Sequence, residues 1–182
     1  MKKQIIAVAV LAAFPCVAMA GPIIGLGYSN IGLSGHAGRP GVQISAGNLY
    51  RNNVVASGGA TFARGYYQMD ASIGKIVPTN GTVSFEPYAS LGFRNTNSIQ
   101  DLYGLAGANM DIPMGSKVGL QFGAAVGHTI TTFGGNSGGV YKGQAKLGFE
   151  IAKHVTANIH VSYLHLPGAS MTDSGAGLAY HF

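Results

Sequence analysis

The chain has 182 residues, among them 29 glycines, 11 basic and 6 acidic residues, one cysteine and no tryptophan. At 47% hydrophobic with so few charges, the composition excludes a disordered chain, which needs many charges and little apolar surface, and the missing Gly-X-Y period excludes collagen. The net charge is +5, but the basic residues are scattered without a run, which argues against nucleic acid as a partner.

The chain opens with a secretory pattern. Lys2 and Lys3 precede the apolar stretch Ile5 to Ala12, and Ala18-Met19-Ala20 is the small-x-small pattern of a cleavage site, so residues 1–20 are read as a signal peptide. The stretch is too short for a spanning helix. Acylation at Cys16 is disfavoured by Phe14-Pro15 in front of it. With Cys16 in the leader, residues 21–182 contain no cysteine and must fold without disulfides.

From residue 21 onward the apolar period is two, not 3.6, which predicts strands throughout. In chain order the segments are Ile24 to Leu33, Val42 to Tyr50, Val54 to Phe62, Tyr67 to Ile73, Phe85 to Phe93, Leu102 to Ile112, Val118 to Val126, Tyr141 to Ile151, Lys153 to Leu166 and Ser174 to Phe182. The alternation is cleanest where Val155, Ala157, Ile159, Val161 and Tyr163 oppose Thr156, Asn158, His160, Ser162 and Leu164. It is ambiguous at Leu102 to Ile112, where Leu105 falls on the polar face. Turn residues separate the segments, including Asn52-Asn53, Pro78 to Gly81, Pro113 to Ser116, Gly134 to Gly139 and Pro167 to Asp173. Segments of nine to eleven residues match a tilted strand crossing a bilayer, and an even number returns the chain to its starting side. The fold class predicted is therefore all-β: an antiparallel, up-and-down transmembrane β-barrel of ten strands, with eight as the alternative if Val54 to Phe62 or its neighbour is loop. Tyr28, Tyr50, Tyr67, Tyr141, Tyr163 and Tyr180, with Phe85, Phe93, Phe149 and Phe182, supply the interfacial aromatics in place of tryptophan.

The last nine residues, Ser174 to Phe182, place Ala176, Leu178, Tyr180 and a final Phe182 on one face. This resembles the closing strand of small Gram-negative outer-membrane β-barrels, porin-like in build and similar in architecture to the OmpX and OmpA barrels. The resemblance implies that Leu178, Tyr180 and Phe182 are an assembly signal read by the barrel-assembly machinery. It also implies a location in the cell outer membrane, contact with outer-membrane lipid and lipopolysaccharide, and a monomer.

With the apolar face toward lipid, the lumen receives Asp70, Glu86 and Glu150 against Arg94, Lys142 and Lys146. A balanced enclosed set predicts a lumen charge network that plugs the barrel, since an unpaired buried charge is costly. A narrow small-solute or ion channel is the alternative. His160-x-Ser162 puts an imidazole and a hydroxyl on one face, a local similarity to outer-membrane barrels that deacylate lipid A. Tyr163-Leu164 follow instead of Asn-Ala, and no Glu lies downstream, so His160 and Ser162 stand only as a remote catalytic alternative. The histidines show no metal-ligand spacing and the glycines no nucleotide fingerprint, so no metal, no cofactor and no enzyme activity are predicted. The function expected is membrane-structural or surface interaction through flexible, nearly uncharged outer loops.

Overall fold

The computed structural model describes residues 19–34, 38–79 and 83–182. The body of the expected leader with Cys16, and His36 in the first loop, lie outside the described residues. The strands are β1 (Met19–Leu33), β2 (Arg39–Tyr50), β3 (Val54–Ala63), β4 (Tyr66–Lys75), β5 (Val77–Pro78) and β6 (Ser84–Thr96). They continue with β7 (Gln100–Pro113), β8 (Val118–Phe133), β9 (Gly139–Ala152), β10 (Val155–Leu166) and β11 (Ala169–His181). Each pairs antiparallel with its sequence neighbour, and β1 pairs β11 from Ile23↔His181 to Leu33↔Met171. β4 and the two-residue β5 are one stave interrupted at Ile76, both laid against β6. The sheet thus closes into a ten-stranded barrel, which leaves it no free edge. The segment around Val54 to Phe62 is a full stave paired on both sides, so the eight-strand alternative is set aside. β1 starts at Met19, two residues ahead of the expected cut.

Period two determines which way the side chains point. Ile24, Leu26, Tyr28, Ile73, Leu91, Val126, Ile159, Val161 and Leu178 lie exposed on the outer wall, as expected for a face solvated by hydrocarbon. Toward the end where β1 begins and β11 finishes (the terminal end) the exposed outer wall bears Phe85, Phe149, Tyr180 and Phe182; toward the opposite, distal end it bears Tyr28, Phe62, Tyr141 and Tyr163. These form two aromatic belts around the apolar band.

Two local departures from the predicted pattern reshape the interior. The expected Pro167 to Asp173 loop shrinks to Pro167–Gly168, because Gly168 takes φ +82° and closes a two-residue hairpin. Met171 and Asp173 therefore lie within β11 and face inward. β8 carries a bulge: Leu102 faces Thr131 and Tyr103 faces Thr129, leaving Ile130 as the extra residue. A bulge shifts the alternation by one, so Thr129 and Thr132 both turn inward. Leu105, on the polar phase of its strand as the sequence indicates, faces the lumen and is buried there.

The lumen has its own apolar core at the distal end. Ile31, Tyr66, Tyr103, Leu105, Ala125, Val140, Leu164, Leu166 and Met171 pack into one buried cluster, with Leu33, Ala63 and Tyr88 against it. Seven strands contribute, so the cluster spans the bore rather than lining one wall.

Candidate functional site: the barrel interior

Arg94 and Asp101 lie on facing positions of β6 and β7 beside the apolar cluster, 1% and 2% exposed. Arg94 Nε donates to Asp101 Oδ2 at 3.0 Å, Nη2 also donates to it, and Thr132 Oγ1 donates to Oδ1 at 2.7 Å. Both carboxylate oxygens are thereby used, which is how a buried charge is held without a large penalty. Tyr66 adds its hydroxyl, which donates to Gln68 Oε1 and lies 2.6 Å from Met171 Sδ. Above this layer the β8–β9 loop is tied down: Gly138 N donates to Thr129 Oγ1 at 2.8 Å, and Thr129 N to Gly138 O at 3.0 Å. The Ser34 hydroxyl likewise holds Ser170, accepting from its N–H and donating to its carbonyl. Two of the loops expected to be flexible are thus anchored at Ser34 and Gly138.

In mid-lumen the carboxylate of Asp173 accepts from Ser29 Oγ across the β1–β11 seam, and His160 Nε2 lies 3.6 Å from Asp173 Oδ2. The hydroxyl on this acid is that of Ser29, although Ser162 stands opposite Asp173 in the register. The His160/Ser162 pair is enclosed in the lumen, away from the lipid-facing wall.

The terminal half is polar and open. Asn109 Nδ2 donates to Glu86 Oε2 at 3.2 Å, Gln144 Nε2 to Asn109 Oδ1 at 2.9 Å, and Gln121 Nε2 to Asp111 Oδ1 at 2.8 Å. Lys146 and Glu150 remain exposed on the inner face. The inner face is thus polar and partly exposed at the terminal end and apolar and buried at the distal end.

The six lumen charges read from the sequence all face inward, but they do not make one network. Among the described residues the ion pairs are Arg94–Asp101 and His160–Asp173. Arg94 pairs with an acid outside the predicted set. Glu86 is held by an amide rather than by Lys142, because Asn109 is its direct partner across β6 and β7. Asp70 on β4 and Lys142, Lys146 and Glu150 on β9 take part in neither pair. Asp101 was reachable by extending the alternation one pleat before Leu102, whereas Thr132 was hidden by the bulge. Ser29 and Asp173 are 144 positions apart and meet only because the barrel closes there. Among the described residues no three metal-ligating side chains gather.

Leu178 and Tyr180, which the resemblance implies are part of an assembly signal, lie at the terminal end of β11, and Phe182 follows it. Leu178 and Tyr180 point outward, the rings of Tyr180 and Phe182 meet edge to face at 4.8 Å, and Phe182 N donates to Pro22 O at 3.1 Å.

No family model matches the sequence, and no curated protein matches it. Solved structures do. The outer membrane protease OmpT from Escherichia coli aligns with a TM-score of 0.58 at 6% identity, over 92% of this chain and 99% of that one. An outer membrane channel from Pseudomonas putida F1 aligns with a TM-score of 0.55 at 7% identity, over 93% and 98% of the two chains. The translocator domain of the autotransporter NalP from Neisseria meningitidis aligns with a TM-score of 0.54 at 13% identity, over 100% and 95%. The chain has the fold of a small outer-membrane β-barrel. A protease, a channel and a translocator share that fold, so the likeness defines the class and leaves the activity to the site.

Proposed function

We propose that this protein is a non-enzymatic barrel of the cell outer membrane, exported by its cleaved leader, with a membrane-structural or surface-interaction role and a closed lumen. The apolar cluster from Ile31 to Met171 carries this reading, because it fills the bore where a pore would need water. Planar-bilayer recording of the refolded mature protein tests it. Wild type should be silent, and Tyr103→Ala/Leu105→Ala/Leu164→Ala should open steady conductance by emptying the cluster. Steady openings of wild type would replace the closed barrel with a channel.

The narrow channel is the second reading, favoured by the exposed inner-face Lys146 and the polar terminal half. On that view the distal cluster is a gate. The catalytic alternative at His160 and Ser162 has less support, since Asp173 is engaged by Ser29 and the site is walled off from lipid.

Leu178, Tyr180 and Phe182 serve assembly by the barrel-assembly machinery in this proposal, and the barrel works as a monomer among outer-membrane lipid and lipopolysaccharide. Phe182→Ala should reduce the folded, heat-modifiable fraction in isolated outer membranes severalfold while the purified variant still refolds in detergent. Equal loss in both settings would make Phe182 a packing residue only.

A further inference from the structure

All six acidic residues of the chain, Asp70, Glu86, Asp101, Asp111, Glu150 and Asp173, face the lumen by strand register. The cations divide differently. Arg94, Lys142 and Lys146 are inside and Arg39 and Arg64 lie at the distal end, but Arg51, Lys75, Lys117 and Lys153 are exposed toward the terminal end, the first two beside one chain reversal and the others at two more. That rim therefore carries a collar of positive charge with no acid on the outer wall to neutralise it.

One member of the collar belongs to a groove. On the outer wall across β3, β4, β6 and β7 lies a depression of about 460 Å³ whose lining includes Ile73, Gly74, Lys75, Ala89, Ala106 and Gly107. It is recessed because its central positions are small: Ile73 is opposite Ala89, Ala89 opposite Ala106, and Tyr88 opposite Gly107 in the register. The side chains of Ala89 and Ala106 are exposed, so no neighbouring strand fills the space. It is shallow and opens broadly onto the face read as lipid-contacting. Ile76 N donates to Asn53 O at 2.8 Å, which brings the Arg51–Asn53 turn beside Lys75. Apolar walls within the hydrocarbon and a cation at the membrane edge are complementary to one molecule class.

We infer that this groove is a binding site for an anionic phospholipid, an acyl chain lying over Gly74, Ala89, Ala106 and Gly107 and the headgroup phosphate against Lys75, with Arg51 adding to the local positive potential. The inference rests on the membrane-embedded reading above, and names the lipid that this part of the wall selects. A basic side chain at a membrane surface favours anionic lipid by about fivefold, and the effect is screened by salt.

The mature protein is refolded into equimolar phosphatidylcholine and phosphatidylglycerol vesicles, extracted gently, and retained lipids are counted by native mass spectrometry. Phosphatidylglycerol should be retained in excess. Lys75→Gln should lower that excess about fivefold, and Ala89→Leu/Ala106→Leu should abolish it by filling the groove with the cations in place. Both variants change outer-wall positions, and heat-modifiable gel mobility verifies that each still forms the barrel. Equal retention of the two lipids by wild type overturns the site. An excess that survives Ala89→Leu/Ala106→Leu overturns the groove and leaves the collar alone as the cause. Failure of wild type to insert into vesicles would sink the membrane reading itself, a result separate from either of these.

Discussion

Asp101→Ala should destabilise the barrel by about 3–5 kcal/mol, the cost of leaving a buried charge without its partner. Arg94 is 1% exposed, and its Nη1 has no partner, so the guanidinium has no route to water once the carboxylate is gone. Its neighbours in the cluster are apolar or aromatic, and its partner across β4 is Gln68, an amide that cannot carry the compensating charge. Thr132→Val should cost about 1 kcal/mol, since only one hydrogen bond to the carboxylate is lost. The informative comparison is Arg94→Met/Asp101→Leu. Removing both charges leaves an apolar layer continuous with Tyr103 and Leu105, and most of the single-variant loss should be recovered. Urea titration of barrels refolded in phosphatidylcholine bilayers, read by gel mobility, measures these three variants together with the Arg94→Met and Asp101→Leu singles. A double variant as unstable as the sum of its singles would mean that the two side chains contribute independently and that the pair is no unit.

The outer wall of this barrel was almost entirely legible in the sequence, because a face that meets hydrocarbon must be apolar at every second residue. Val155 to Tyr163 and Ala176 to Phe182 obey that constraint without exception. The interior obeys no such rule. A filled bore accepts polar, small or apolar residues so long as they fit, and its contacts join strands far apart in sequence. Ser29 and Asp173 illustrate the second difficulty, Thr132 the first: a single bulge at Ile130 inverts the parity from which its direction would be inferred. The plug did leave a trace. Ile31, Leu105, Leu164 and Leu166 are apolar residues on the polar phase of their strands, and all lie toward the same end once the strands are laid up and down. Read singly, they look like lapses in the alternation; read together, they mark one layer of the bore. The anchoring of the β8–β9 loop was hidden for a related reason. Glycine and serine suggest mobility in isolation, but Ser137 and Gly138 meet Thr129, whose inward direction depends on the register of β8.

Gly92→Val should expel Tyr103 from the distal cluster and convert a silent barrel into a conducting one. Gly92 and Tyr103 face each other across β6 and β7, and the tyrosine ring lies over the glycine, occupying the place where a Cβ would be. A β-branched residue suits the strand backbone at position 92, so the ring and not the strand must give way. Tyr103 is 2% exposed and has neighbours on its other sides, so its way out is along the bore toward the open half. Overpacking of this kind costs about 1–3 kcal/mol. Gly92→Ala should show the same effect in smaller measure, and Tyr103→Ala should cost less in the Gly92→Ala background than in wild type, because the clash disappears with the ring. That sign of coupling is opposite to the one expected if glycine were needed for backbone freedom. Gly119→Ala is the control: nothing lies within 4 Å of the Cβ it would add, and losing unfolded-state freedom there should stabilise by about 0.4–1 kcal/mol. Conductance from Gly92→Val with wild-type and Gly119→Ala barrels silent would identify the Tyr103 ring as the closing element. Silence in all three would mean that Leu105, Leu164 and their neighbours hold the bore shut without it.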